Sequence, residues 1–430
     1  MQHKTINIIT LGCSKNLVDS ERLMRQFEEQ GFDVRFDDEA PAEILLINTC
    51  GFILDAKEES VNMIMDGVRA KEAGLVKKLY VMGCLSARYR EELKKEIPEV
   101  DCFFGKFDFD AILRELEVAK RKDLLFDRYL TTPSHYAYLK IAEGCDRSCS
   151  FCAIPQFTGK HQSVPVDDLV KEASLLAQKG VKELLLISQE LTYYGIDLYK
   201  KRMLPELIHR LSEIGGIEWI RLHYAYPAGF PVELLKTMRE NPKVCRYLDV
   251  PLQHISDRVL AKMRRNITGA ETRQLIQTIR DEVPGIALRT TLIVGHPGET
   301  EEDFQELLAF VDEMKFERLG VFPYSHEEDT WGYRNLDDTL SQQVKEERLA
   351  RIMELQQALS EKMMNKWIGK RRKVLIDRIE GEHWIGRTEH DSPEVDGEVL
   401  INRNYPLKTG GFYTVEITGT EAFDSYGKPV

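Results

Sequence analysis

The stretch Tyr138–Lys160, which reads YLKIAEGCDRSCSFCAIPQFTGK, decides how the rest of the chain is interpreted. It opens with apolar, β-prone residues, which predict a strand. A glycine then precedes three cysteines in the spacing C-x3-C-x2-C, namely Cys145, Cys149 and Cys152. Iron–sulfur cubanes are usually held by four thiolates, so a loop with three leaves one iron open to a small molecule. The spacing therefore favours an iron–sulfur cluster with an exchangeable position.

Two other uses of these thiols fit less well. A closed zinc site needs a fourth protein ligand, and the nearest candidate, His161, lies outside the compact loop. A disulfide would leave one of the three cysteines unpaired. Eight cysteines in a chain without a secretory signal are typical of reduced thiols or metal ligands in the cytoplasm. We therefore expect a cluster here, with zinc or structural thiols as the alternative.

Composition limits the class of protein. The 430 residues exceed one ordinary domain, so two or three domains are expected. The N-terminus lacks the apolar region of a signal peptide, and no apolar run is long enough to span a bilayer, so we expect a cytoplasmic protein without membrane association. A formal net charge of −12 argues against a general nucleic-acid binder, because phosphate contacts need an excess of Lys and Arg.

Residues 4–120 predict a first domain of parallel βα units. Strand candidates at 6–11, 44–48 and 79–82 are followed by Cys13, Cys50 and Cys84. Helices are expected from about Asp19, at an Asp-Ser-Glu start signal, and from about Ala56. The carboxyl ends of successive parallel strands meet at one edge, so the three thiols should converge. Three unrelated core cysteines are the alternative, but each of these follows a strand beside a glycine, which favours a second cluster.

The remaining two cysteines, Cys102 and Cys245, fit neither triplet and are interpreted as core thiols.

Residues 131–361 alternate strand and helix candidates. Six strand–helix pairs predict a (βα)6 partial barrel, open on one side, in which the chemistry lies at the carboxyl ends of the strands. Strand candidates lie at 138–142, 184–188, 219–223, 248–251, 287–294 and 319–324. Gln189 and Glu190 after the second strand, and Arg289 within the fifth, are candidate contacts for a small ligand.

Residues 364–430 predict a small antiparallel β-barrel of the OB kind, preceded by a long charged helix within 338–366. Acidic residues outnumber basic ones in this barrel. They cluster in one segment as Glu389, Asp391, Glu394, Asp396 and Glu398. One interpretation is a solvated hairpin, and the other is a surface that attracts a basic protein partner.

The order of these three units resembles the radical S-adenosylmethionine (SAM) methylthiotransferases along nearly the whole chain. That family combines an N-terminal domain carrying a three-cysteine cluster, a radical SAM core and a TRAM domain. The stretches LGCSKNLVDSE and GRTEHDSPEVDGEVLI are similar to members that modify the small-subunit ribosomal protein uS12 rather than tRNA. The resemblance implies an α/β fold and methylthiolation of the β-carbon of an aspartate in uS12, free or within the small ribosomal subunit.

The resemblance also implies cofactors and their ligands. Two 4Fe-4S clusters would be held, one by Cys13, Cys50 and Cys84 and the other, exchangeable with SAM, by Cys145, Cys149 and Cys152. The SAM contacts would be Phe151, near the adenine, with Gln189, Glu190 and Arg289. SAM would be both the source of the 5′-deoxyadenosyl radical and the methyl donor. An external reductant such as flavodoxin or ferredoxin would be a partner, and the sequence does not identify the sulfur donor.

Two alternatives remain open at this point. A tRNA adenosine methylthiotransferase would share the three units, with its TRAM domain holding RNA. A non-enzymatic iron–sulfur or zinc scaffold would not need polar residues at successive barrel ends. The acidic balance of the terminal barrel favours a basic protein substrate, because barrels that bind RNA carry basic, aromatic-lined grooves.

Overall fold

The computed structural model describes residues 4–430, which begin with a five-stranded parallel sheet. Its strands are β1 (Thr5–Thr10), β2 (Asp33–Phe36), β3 (Ile44–Thr49), β4 (Lys78–Gly83) and β5 (Cys102–Phe103). They lie in the order β2-β1-β3-β4-β5. The helices that flank them are α1 (Ser14–Glu29), α2 (Leu54–Glu72), α3 (Cys84–Arg88), α4 (Arg90–Glu96) and α5 (Phe109–Glu115), followed by a 3-10 turn at Lys122–Leu124. Separate apolar clusters cover the two faces, so the sheet is buried between helices.

This sheet differs from the sequence prediction in two respects. The edge strands β2 and β5 were not predicted, because strands of four and two residues carry almost no periodic signal. Helix α1 begins at Ser14 rather than near Asp19. The Asp-Ser-Glu signal is not a cap, since Asp19 lies inside the helix and pairs with Lys140 of the next sheet. Cys13 therefore immediately precedes the helix, in an extended conformation.

The second sheet is parallel and open. In chain order the strands of this part are β6 (Tyr136–Lys140), the short antiparallel pair β7 (Ala142–Glu143) and β8 (Gln162–Ser163), then β9 (Glu183–Ile187), β10 (Trp219–Leu222), β11 (Val244–Asp249), β12 (Ala287–Val294) and β13 (Arg318–Pro323). The six-stranded sheet has the order β13-β12-β11-β10-β9-β6. Its two edges, β6 and β13, do not pair with each other, so the partial barrel is open, as predicted.

Helices cover the convex face of this sheet or lie in its connecting loops. They are α6 (Ile154–Thr158), α7 (Val166–Gln178), α8 (Ile196–Tyr199), α9 (Leu204–Ser212), α10 (Glu233–Glu240), α11 (Asp257–Lys262), α12 (Gly269–Glu282), α13 (Glu301–Met314), α14 (Trp331–Asn335) and α15 (Gln342–Met364), with 3-10 turns at Leu191–Tyr193 and Asn365–Trp367. Leu, Ile and Phe side chains of helices and strands form the largest apolar core. Within residues 4–430, no helix is both long and apolar enough to cross a bilayer.

The chain ends in a closed five-stranded barrel. Its strands are β14 (Arg371–Glu380), β15 (His383–Thr388), β16 (Val399–Asn402), β17 (Phe412–Thr420) and β18 (Ser425–Pro429). The order is β14-β15-β16-β18-β17, closing between β17 and β14. All pairs are antiparallel except β16 with β18. Leu375 and Phe412 pack against Trp219, Cys245 and Tyr247 on the concave face of the open sheet, so Cys245 is a core thiol.

The acidic segment is not a free hairpin. Residues 389–398 connect β15 to β16 and fold into the concave face of the open sheet. Asp391 is buried and pairs with Arg318, and the nearly buried carboxylate of Asp396 lies 3.5 Å from Arg289. These two carboxylates therefore hold the barrel on the sheet. The interpretation that they face a basic partner is wrong, because their charges are already paired inside the chain.

Candidate functional site

Three cysteines converge at the carboxyl edge of the first sheet. Cys13 follows β1, Cys50 follows β3 and Cys84 follows β4, and these strands are neighbours. A Cβ added at Gly12 would lie 2.9 Å from Cys50 Sγ, so the turn before Cys13 contacts Cys50. A Cβ added at Gly51 would lie 2.9 Å from the carbonyl carbon of Cys84. The three loops are therefore in direct contact, as the βα pattern predicts.

Two lysines set the electrostatics of this triplet. Lys106 lies 3.8 Å from Cys84 Sγ, and Lys15 lies two residues beyond Cys13. Burial raises the pKa of Cys13, but Lys15, Lys106 and two backbone N–H groups outweigh it, so the net shift is downward. Burial raises the pKa of Cys50, and it raises the pKa of Cys84 to about 12. The thiolate is thus more accessible at Cys13 than at Cys50 and Cys84, from which a metal has to displace more tightly held protons.

The second triplet lies on the loop between β7 and α6. Gly144 opens this loop with a φ of +77°, and a Cβ there would lie 2.2 Å from the carbonyl oxygen of Lys160. The backbone N–H of Cys145 donates to the carbonyl of Gly159, which closes the loop at its base. Only a residue without a side chain fits this close approach, so the glycine fixes where the three thiols begin.

Cationic groups surround the second triplet. Arg265 donates to Cys149 Sγ at 3.3 Å, and the backbone N–H of Arg147 donates to Cys145 Sγ at 3.4 Å. Both guanidiniums also lie against the ring of Tyr226, at 4.0 Å for Arg147 and 4.3 Å for Arg265. Burial raises the pKa of Cys145 to about 11. Positive charge beside buried thiols stabilises the thiolate form that a cluster requires.

Sequence reasoning missed Tyr226 and Arg265. They follow β10 and α11, far along the chain from the cysteines, and neither belongs to a recognisable motif. What Tyr226 and Arg265 share is their place in the sequence, since each comes shortly after an element that ends at the carboxyl side of the open sheet. Arg147 lies within the cysteine loop itself and could have been noticed there.

Three of the four candidate ligand contacts lie beside the cysteine loop. Glu190 is buried and accepts from Arg147 at 2.9 Å, Gln189 donates to Glu143, and Phe151 is half-buried within the loop. Arg289 lies elsewhere. Its guanidinium is 3.4 Å from Asp249 and 3.5 Å from Asp396, against the terminal barrel.

His161, the candidate zinc ligand, lies apart from the thiols. Its Nε2 is 3.2 Å from Ser163 Oγ, and its backbone N–H donates to Asp146 at 3.0 Å. Burial lowers the pKa of this imidazole, so it is neutral at physiological pH. These contacts give it a structural position under the loop.

The two thiol triplets lie next to each other. Cys84 packs against Ala153 and Phe157, which directly follow the second triplet. Lys106 joins the sites electrostatically, since it contacts Cys84 and pairs with Glu143 at 3.2 Å. The carboxyl edges of the two parallel sheets therefore face each other across one shared space.

The donors present fit iron–sulfur clusters. All eight cysteines are free, and each triplet offers thiols only. Among the described residues, no three Cys, His, Asp or Glu side chains are arranged to hold a single metal ion. A cubane does not require that, because each thiolate binds a different iron. Spaced thiols with nearby cations suit a cluster better than a mononuclear zinc ion.

Comparisons with known proteins agree with this arrangement. Family models match at residues 5–105 (Uncharacterized protein family UPF0004), 139–311 (Radical SAM superfamily) and 368–430 (TRAM domain). The chain is 58% identical over 430 residues to ribosomal protein uS12 methylthiotransferase RimO of Bacteroides fragilis, covering 100% of both chains. The chain belongs to the RimO family. The RimO of Porphyromonas gingivalis is 56% identical over 433 residues, again covering 100% of both.

Solved structures support the fold. A radical S-adenosylmethionine methyltransferase, TsrM from Kitasatospora setae, superposes with a TM-score of 0.54 over 75% of each chain, at 14% identity. At that identity the likeness concerns the fold alone. RimO membership over the full length makes the chain a radical SAM enzyme of the methylthiotransferase class, with SAM and 4Fe-4S clusters as its cofactors.

Proposed function

We propose that this enzyme methylthiolates the β-carbon of an aspartate in ribosomal protein uS12. The observation that carries the proposal is the shared space between two thiol triplets, in a chain whose full-length relatives are uS12 methylthiotransferases. One reaction that needs both a radical and a sulfur source requires two such centres side by side. The tRNA alternative is not favoured, since relatives at this identity carry the uS12 name.

The proposal assigns the ligands as follows. Cys145, Cys149 and Cys152 hold the 4Fe-4S cluster that binds SAM, and Cys13, Cys50 and Cys84 hold the other cluster. When bound, these groups supply one-electron reduction of SAM, a radical able to take hydrogen from an unactivated C–H bond, and a methylated sulfur for transfer.

Side chains around the loop have positioning roles in this proposal. Glu190 fixes Arg147 beside Cys145, and Gln189 and Phe151 lie on the same side of the loop, where SAM contacts are needed. A role of Arg289 in binding SAM has less support, because its guanidinium is already paired with two carboxylates.

Burial supports radical chemistry at this place. Cys50 and Cys84 are buried, the three cysteines of the loop are half-buried, and apolar Ala153 and Phe157 fill the contact between the triplets. Excluding water and stray hydrogen donors protects a carbon radical from side reactions.

The domains and partners are part of the same proposal. We assign residues 4–120 to the methylthiotransferase domain, 131–361 to the radical SAM core and 364–430 to the TRAM domain. The partner is uS12 or the small ribosomal subunit, and a flavodoxin or ferredoxin supplies electrons. Free cysteines throughout the chain and a ribosomal substrate support a cytoplasmic location.

An assay with purified components tests the proposal. Anaerobically reconstituted enzyme, SAM, a strong reductant and a sulfide source are incubated with uS12, with small ribosomal subunits, or with unmodified tRNA. We expect a methylthio group on one aspartate of uS12 and none on tRNA, detected by mass spectrometry. Modified adenosine with unmodified uS12 would contradict the proposal.

A further inference from the structure

A buried lysine lies at the shared space without a carboxylate in ion-pair contact. Lys15, in the first turn of α1, is only 7% exposed. Among residues 4–430, its ammonium forms no ion pair with a carboxylate and donates no hydrogen bond, and it lies 3.8 Å from the centroid of the Tyr224 ring in a cation–π contact. Burying an unpaired ammonium is costly, so an anion is expected to bind there.

The charged side chains around Lys15 carry one more positive than negative charge, which one bound anion would neutralise. Three lysines, Lys15, Lys106 and Lys140, and two carboxylates, Asp19 and Glu143, lie in this region. Both carboxylates are already engaged, because Lys140 pairs with each of them and Lys106 pairs with Glu143. Counted over lysines and carboxylates, the surplus is one positive charge, and Lys15 carries it. The other anionic group near Lys15 is the Cys13 thiolate, which a cluster would take as a ligand.

The backbone at the same place is strained. Tyr224 follows β10 with a φ of +63°, and Gln253 follows β11 with a φ of +73°. Non-glycine residues in the left-handed region cost roughly 1 kcal/mol or more, and such strain is concentrated at functional sites. The Tyr224 ring lies against the Lys15 ammonium, which is thus placed between the end of β10 and the loop of Cys13.

An apolar wall adjoins the lysine. Val18 of α1 packs with Tyr138 and Ile187 on the concave face of the open sheet, and Tyr224 borders this cluster. A short carbon chain carrying a carboxylate matches this combination, since its methylene can lie against the wall while its charge meets the ammonium.

We propose that Lys15 binds the side-chain carboxylate of the aspartate that is modified. This inference rests on the proposed function and adds how the target residue is recognised. The contact fixes the carboxylate beside Cys13, so the adjacent β-carbon faces the space between the two triplets. Lys15 is thus a specificity-determining residue, which favours an aspartate over an uncharged side chain.

Substrate variants test this assignment. The probes are uS12 carrying the natural aspartate and uS12 with asparagine at that position, measured for binding and for KM and kcat with wild-type enzyme, Lys15→Met and Lys15→Arg. We expect wild type to bind the aspartate form about ten- to hundredfold more tightly than the asparagine form, as for hydrogen bonds to charged groups. Lys15→Met should bind both forms equally weakly, while Lys15→Arg keeps part of the preference.

Controls separate recognition from cluster assembly. Iron content, and SAM cleavage in the absence of uS12, are measured for each Lys15 variant, and the preference for aspartate, which is a ratio of two affinities, is compared at matched iron content. The exposed Lys95→Met, which removes the same charge far from the site, should keep the full preference for aspartate.

Two results would overturn the assignment: wild type without any preference for aspartate, or Lys15→Met that keeps the wild-type preference, as it does when both forms lose affinity by the same factor. The wild-type comparison needs no variant, so misfolding cannot obscure it. Wild type that modifies no form of uS12 would instead contradict the proposed function itself.

Discussion

Individual cysteines have separable roles at the residue scale, and this gives the first prediction. Cys149→Ala should abolish SAM cleavage, because it removes a ligand of the cluster that binds SAM. Cys50→Ala should spare much of the cleavage but stop methylthio transfer. Wild type should hold about eight irons, four per cubane. Each variant should hold about four, because it loses one whole cluster. Equal loss of both activities in well-folded Cys50→Ala would count against two distinct centres.

The glycine before Cys13 gives a second prediction. Gly12 has a φ of +90°, and a Cβ there would lie 2.7 Å from Cys50 Cβ. Gly12→Ala should therefore separate the loops of the first triplet and lower its iron content. Gly74→Ala is the matched control, since Gly74 has a φ of +75° but nothing within 4 Å of an added Cβ. Both variants should lower the free energy of unfolding by roughly 1–2 kcal/mol, because alanine is strained in the left-handed region. Only Gly12→Ala should also lose iron. Equal iron contents would contradict the contact.

A half-buried histidine in the connection after β15 gives a prediction of pH dependence. Burial, and then Arg372, whose guanidinium donates to Nδ1 at 2.7 Å, lower the pKa of His390 to about 3. In the unfolded chain the pKa is about 6.5, so the unfolded state binds this proton first as the pH falls. Stability should thus decline from about pH 6.5 downward, by roughly 1 kcal/mol at pH 5.5.

Urea unfolding at pH 7.5 and 5.5 measures this decline. His390→Gln should remove only the contribution of His390, roughly 1 kcal/mol, because glutamine does not titrate. His161, His223 and His296, whose pKa values burial also lowers, should keep their contributions. The exposed His209→Gln should retain the full pH dependence of wild type. An unchanged pH dependence in His390→Gln would contradict the assignment of a neutral, half-buried imidazole.

At the scale of elements, buried ion pairs attach the barrel to the open sheet. Arg387 of β15 pairs with Glu183 of β9 at 2.8 Å and with Asp377 of β14 at 2.6 Å, and Arg221 of β10 also pairs with Glu183. These side chains are almost fully buried. The network makes the barrel part of the same body as the radical SAM core.

Removing one member of that network should loosen the barrel. Arg387→Met leaves buried carboxylates short of a partner and should cost about 3–5 kcal/mol. Arg378→Met is the control on the same barrel, since Arg378 is half-exposed and its loss should cost less than about 1 kcal/mol. Limited proteolysis between α15 and β14, with urea unfolding, measures both. Similar behaviour of the two variants would contradict the role of the network.

Elements with strong local signals could be predicted from the sequence. Helix α13 begins where Thr300 and Asp303 form a capping box, a start signal that four consecutive residues of the sequence carry. The two cysteine triplets could also be found, because spacing and βα position are local properties. The acidic segment was misinterpreted, since its partners Arg318 and Arg289 lie far back in the sequence. Lys15 carried no local signal either, because its isolation is a property of the folded surroundings.

At the scale of the whole molecule, two parallel sheets present their carboxyl edges to each other. The first sheet brings Cys13, Cys50 and Cys84 to this junction, and the open sheet brings the second triplet. The barrel packs on the concave face near the amino-terminal ends of the strands, opposite the junction, through Leu375 and Phe412. This arrangement leaves the substrate to approach where the sheets meet, beside Lys15.

The mass of uS12 in cells with and without this enzyme tests the central claim most directly. Intact uS12 is purified from wild-type cells, from a deletion strain, and from that strain carrying either the wild-type gene or the Cys50→Ala variant. A methylthio increment on one aspartate should be present in wild type, absent after deletion and restored by the wild-type gene alone. An increment that persists in the deletion strain, or uS12 that is unmodified in wild-type cells, would contradict the claim.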